Sequence, residues 1–80
     1  MFKPTDLIRL EPGVSATPLW KRPDINYDPD NHLGSLKTGE IGLVLQVRVI
    51  KDTDTLHTVW YRILKEGVTG WIRGGRVEKI

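Results

Sequence analysis

Proline and glycine interrupt this 80-residue chain so often that no long regular element fits between them. Pro4, Pro12-Gly13, Pro18, Pro23, Pro29, Gly34, Gly39, Gly67, Gly70 and Gly74-Gly75 punctuate it from end to end, and no segment keeps a helical apolar period. Short strands joined by turns are the structure that such spacing permits. The clearest strand is "EIGLVLQVRVI" (40–50), where alternation puts Ile41, Leu43, Leu45, Val47 and Val49 on one face and Gln46 and Arg48 on the other. In "HTVWYRILK" (57–65), Val59, Tyr61 and Ile63 share a face opposite Trp60, Arg62 and Leu64. "DLIRL" (6–10) alternates well enough for a first strand. "ATPLW" (16–20) reads as a short edge piece, since an edge strand can spare the N–H that Pro18 lacks. "GWIR" and "RVEKI" supply two short strands at the carboxy terminus.

The segment "KRPDINYDPDNHLGS" (21–35) is rich in Asp, Asn and Pro and is expected to form a long first loop, while "KDTDTL" (51–56) is a polar turn. The whole chain, 1–80, is expected to be one small all-β domain, a five-stranded barrel whose pairing removes exposed edges. A domain of this size buries only about 60% of the surface of its unfolded chain, so its core is modest. With no cysteine, neither a disulfide nor a thiolate metal site can reinforce it. Pro4 and Asp6 stand where a signal peptide would be apolar, and "LVL" is far too short to span a bilayer, so a soluble, cytoplasmic protein without a membrane partner is expected.

Over residues 36–80 the chain resembles the Src-homology-3 fold in the order and spacing of its motifs. Lys37-Thr38-Gly39-Glu40 resembles the turn before that family's second strand, and Trp60 with Ile63 resembles its third strand. Gly70-Trp71-Ile72 resembles the start of the fourth strand. Gly74-Gly75-Arg76 followed by Val77 and Ile80 resembles the one-turn helical corner and last strand. The resemblance implies a Src-homology-3-like barrel and an interaction module. It departs where the family grips proline-rich ligands: no aromatic motif occurs in "LIRLEPGVS", and Arg73 and Arg76 stand where a Pro and a Tyr would be. The front half, "FKPTDLIRL" with "GEIGLVL", is similar to small barrel proteins encoded by bacteriophages, with Thr5 in place of a usual Gly, which implies a phage or bacterial origin and a location inside the host cell. It also resembles the short barrel motif of transcription and ribosomal proteins.

The net charge of +2 is too small to imply nucleic acid, but its distribution is uneven. Residues 41–80 carry seven Lys or Arg against Asp52, Asp54, Glu66 and Glu78. Trp60 and Arg62 on one face, with Arg73 and Arg76 at the adjacent corner and Tyr27 from the long loop, form the candidate binding site. An aromatic ring beside guanidinium groups suits a carboxylate-rich peptide, a phosphate backbone or a stacked base. The competing reading leaves Trp60 half-buried and the arginines merely solvated. Trp71, opposite the core residue Ile72, either covers an open end of the barrel or meets a partner, cover being the simpler role.

Asp24, Asp28, Asp30, Asn31 and His32 crowd one loop, yet Pro29 or Leu33 falls where a calcium loop needs Gly, so no metal is expected. No cofactor is expected either. Ser15 and Ser35 lack a nearby His and acid, His32 and His57 are unconnected, and no phosphate-binding Gly motif opens a helix, so no enzyme is expected. The function read from the sequence is a non-enzymatic protein-interaction module or small structural subunit. The alternative is nucleic-acid binding by the same corner, and a further possibility is self-association through residues 16–20 and Trp20.

Overall fold

The computed structural model describes residues 1–23, 28–51 and 57–80. Seven strands, not five, make up its single curled sheet: β1 (Leu7–Leu10), β2 (Ala16–Trp20), β3 (His32–Lys37), β4 (Gly42–Lys51), β5 (His57–Lys65), β6 (Val68–Arg73) and β7 (Val77–Lys79). Their order across the sheet is β3-β2-β6-β5-β4-β1-β7, and every pairing is antiparallel. The protein is all-β, and its curled sheet forms a half-barrel. Its only helical pieces among the described residues are two 3₁₀ turns, Pro29–Asn31 and Gly74–Arg76, the second being the corner expected before the last strand.

The concave face holds the core. Ile8, Leu10, Leu19, Leu36, Val44, Tyr61, Ile63, Ile72 and Val77 form one buried cluster, with Phe2, Val14, Val47 and Val59 packed at its margin. The parity of β5 is as its sequence indicates. That of β4 is not. Val44 pairs with Ile63 but Gln46 pairs with Arg62, so Leu45 is an extra residue in a β-bulge. Before the bulge the core face takes Gly42 and Val44, and after it Val47 and Val49 pair with core-facing Tyr61 and Val59. Ile41, Leu45 and Val49, which strict alternation sets on one apolar face, are exposed.

Two further expectations are corrected. β2 is not an edge: it pairs with β3 along its length and with β6 at Trp20, and the edges are β3 and β7. The expected loop 21–35 contains a 3₁₀ turn and the first residues of β3. "HLGSLK" has no apolar alternation to announce it. It becomes a strand because β2 pairs with it, Leu36 enters the core, and a bulge at Leu33 is accommodated beside Gly34, whose φ is +148°. The polar turn expected at 51–56 lies, beyond Lys51, outside the described residues, as do Asp24 and Tyr27.

Two turns repeat one design. In 3–6 the Asp6 N–H donates to the Lys3 carbonyl, and Asp6 Oδ2 accepts from the Lys3 N–H at 3.0 Å. In 37–40 the Glu40 N–H donates to the Lys37 carbonyl, and Glu40 Oε1 accepts from the Lys37 N–H at 2.7 Å. The third residue needs positive φ in each. Gly39 supplies it at +86°, but Thr5 is held at +78°, where a β-branched side chain is strained. Thr5→Gly should therefore stabilise the fold by about 0.5–1 kcal/mol, the relief of strain exceeding the entropy that Gly adds to the unfolded chain. A rise of the thermal midpoint checks this, and an unchanged or lower midpoint contradicts it.

Each turn carboxylate also meets a lysine. Lys65 Nζ lies 2.9 Å from Glu40 Oε1 and donates to the Ser35 carbonyl at 2.8 Å, while Lys79 Nζ lies 3.5 Å from Asp6 Oδ1. The Lys65 hydrogen bond and the Lys37 amide hold Glu40 below its ordinary 4.5. The Lys3 amide, and then Lys79, hold Asp6 below its ordinary 3.8, against an opposing effect of burial. A carboxylate with a lowered folded pKa releases its proton more readily folded than unfolded. Its contribution is complete above the unfolded value and is lost as the pH falls through the folded one. Urea midpoints should thus be level near neutrality and fall below pH 4.5, then below 3.8. Glu40→Gln combined with Asp6→Asn should lower the neutral midpoint and flatten that acid slope.

Candidate functional site

Residues directly opposite one another in antiparallel strands project to the same face. Cross-strand pairing therefore lays out the convex face in two adjoining rows. One runs Arg48, Trp60, Arg73 across β4, β5 and β6. The other runs Gln46, Arg62, Trp71, Trp20 across β4, β5, β6 and β2. Three of the expected site residues, Trp60, Arg62 and Arg73, thus share one surface, and Arg76 follows in the 3₁₀ turn at its border. Tyr27 is outside the described residues.

The arginines are exposed, but Trp60 is 1% exposed and is not an open aromatic plate. The Arg73 guanidinium lies 5.9 Å from its ring centroid, within cation–π range. Trp71 is 9% exposed, so on this convex face it acts as cover. Trp20 packs edge-on against His32, ring centroids 5.5 Å apart. Arg48 is a member of the surface that sequence reasoning left out. The signal was present in its parity with Gln46, but its place opposite Trp60 depends on the bulge at Leu45.

Charge on this face is unbalanced. Arg48, Arg62 and Arg76 have no side-chain hydrogen bond or ion pair among the described residues, whereas Arg9 pairs with Glu78 and Arg22 with Asp28. Trp60 adds a donor of another kind: its Nε1 is buried and has no acceptor among the described residues. A buried N–H without a partner costs about 1–3 kcal/mol. Beside these groups a cleft of about 1000 Å³ opens between β2 and the 74–76 turn. Its described lining includes Trp60, Arg73 and Arg76 and contains no Asp or Glu.

No protein-family model, curated protein or solved structure matches the chain. The chemistry of this face has to be read from its own residues.

In the described part of the acidic loop, Asn31 and Asp28 hold backbone groups. Asn31, 1% exposed, accepts from the Arg22 N–H at 2.8 Å through Oδ1 and donates to the Arg22 carbonyl at 3.2 Å through Nδ2. Its main chain accepts from the Lys21 N–H and donates to the Asp28 carbonyl. Asp28 Oδ1 accepts from the Asp30 N–H, capping the 3₁₀ turn. The Asn and Asp side chains here satisfy backbone. Among the described residues no group of three potential metal-ligating side chains occurs, and no helix is long and apolar enough to cross a membrane.

Proposed function

We propose that the chain is a non-enzymatic interaction module, a small barrel similar to the Src-homology-3 fold, that holds a protein partner on the face carrying Trp60, Arg62, Arg73 and Arg76, with Arg48 as an added contact. The observation that carries this reading is the unbalanced arginine face: exposed guanidinium groups with no carboxylate partner among the described residues, arranged around a buried Trp. Arginine supplies planar, bidentate donors at low desolvation cost, and it is enriched where proteins meet.

Nucleic acid is the competing reading of the same donors. Base stacking requires an accessible ring, and the burial of Trp60 and Trp71 favours the protein partner. The modest net charge of +2 favours it as well.

Cross-linking in source cells, followed by mass spectrometry, tests the reading with wild-type protein and an Arg62→Gln, Arg73→Gln double variant. The expected result is a protein adduct that survives nuclease treatment and is lost in the variant. Oligonucleotide binding with a log–log salt slope of about −3 to −4, as four phosphate contacts would give, would transfer the face to nucleic acid.

A further inference from the structure

We propose that the cleft between β2 and the 74–76 turn receives an extended acidic peptide segment, one carboxylate of which is held by Arg73 and Arg76 beside the buried ring of Trp60. This deepens the protein-partner reading above and rests on it.

The cleft exists because two neighbouring strands separate. β2 and β6 are joined in the ladder at one pair, Trp20 opposite Trp71. Beyond that pair the β6 side of Ala16–Leu19 has no strand against it, while the chain of β6 continues through Arg73 into the 3₁₀ turn. Pro18 sits on this unpaired stretch, where the ladder makes no demand for its missing N–H. The stretch His57–Tyr61 of β5 lines the space between the two banks. A strand-like gap bounded by strands fits an extended chain better than a compact ligand.

Its donors define the chemistry of that chain. Arg73 and Arg76 line the cleft from one bank, and Trp60, whose ring lies under the Arg73 guanidinium, lines it as well. No acidic residue is among the described lining. Guanidinium donors select an acceptor-only group, and a carboxylate takes an arginine fork. Nearby Arg48 and Arg62, also without side-chain partners among the described residues, extend the positive field along the convex face and favour a run of acidic side chains over a single one.

The test is a titration of nitrogen-15-labelled protein with acetylated, amidated hexaglutamate, with hexaglutamine as the neutral control and a single-stranded oligonucleotide as a third probe. The three tryptophans give three indole signals, and Trp60→Phe assigns one of them. The expected result is a Trp60 indole shift with hexaglutamate and none with hexaglutamine. Arg73→Gln, an exposed substitution that should leave the fold intact, should weaken binding about tenfold or more.

An unmoved Trp60 indole, or equal shifts with both peptides, overturns the proposal. Hexaglutamate shifts confined to Arg48 and Arg62 would overturn the cleft but leave the partner face standing. Shifts with the oligonucleotide alone would overturn both.

Discussion

Asn31→Ala should be among the most damaging single substitutions in the protein, lowering stability by about 2–4 kcal/mol. Its side chain makes both hydrogen bonds to the Arg22 backbone, donor and acceptor, from a position 1% exposed to solvent. Truncation removes the two bonds and leaves the Arg22 N–H and carbonyl without their partner near the end of β2. The pair of bonds is part-buried and contributes modestly when satisfied, but partners left short of water cost part of their desolvation. Asn31→Asp is the informative companion. It keeps the acceptor for the Arg22 N–H and sets a carboxylate against the Arg22 carbonyl, so it should also destabilise at neutral pH and recover partly in acid. Chemical unfolding of the three proteins measures the difference. A loss under 0.5 kcal/mol for Asn31→Ala, the ordinary range for a surface substitution, would mean that the Arg22 anchor is dispensable.

The Gly74-Gly75 pair should divide sharply under substitution. A Cβ on Gly74 would stand 2.6 Å from Tyr61 Cε2 and 3.5 Å from the Val59 carbonyl. Tyr61 cannot readily retreat: it is in the core cluster, its ring lies 5.0 Å from that of Phe2, and its hydroxyl accepts from the Phe2 N–H. Gly74→Ala should cost about 2–3 kcal/mol by overpacking. A Cβ on Gly75 meets nothing within 4 Å, and neither glycine requires positive φ. Gly75→Ala should therefore be neutral or stabilising by a few tenths of a kcal/mol, through the smaller entropy of its unfolded chain. Thermal unfolding of both variants decides the matter. Equal effects would show that the contact between Tyr61 and the corner is not a constraint.

The same contrast bears on the proposed site. Gly74 and Tyr61 line the cleft with Arg73 and Arg76, so a shift of the corner would move the donors. Gly74→Ala should weaken the hexaglutamate interaction at temperatures where the protein remains folded. Gly75→Ala should leave it unchanged.

Much of this architecture was legible because it is local. Dense Pro and Gly excluded long helices, and alternation in "VWYRI" separated Val59, Tyr61 and Ile63 from Trp60 and Arg62. The strand expected from Gly70 begins earlier, at Val68, because Glu66 and Gly67 both have positive φ and close a two-residue hairpin. Trp60 and Arg62 share a face by the same strand parity, whereas Arg73, expected at the adjacent corner, joins that face through its pairing with Trp60.

What lay outside the reach of pattern depended on partners distant in the chain. The extra residue Leu45 reverses the parity of β4, and only its pairing with β5 reveals it. Residues 32–37 form a strand because β2 and the core accept them, their own propensity being poor. Parity told which way Trp60 points, not what would lie over it, so a ring read either as part of a binding surface or as half-buried is almost fully buried. The sequence by itself determined an all-β chain, the positions of several turns and the sidedness of β5, since those depend on backbone sterics and a two-residue period. Tertiary packing decided the number of strands, the register of β4, the structural role of Asn31 and the cleft beside Arg73, because each arises where segments far apart in sequence meet.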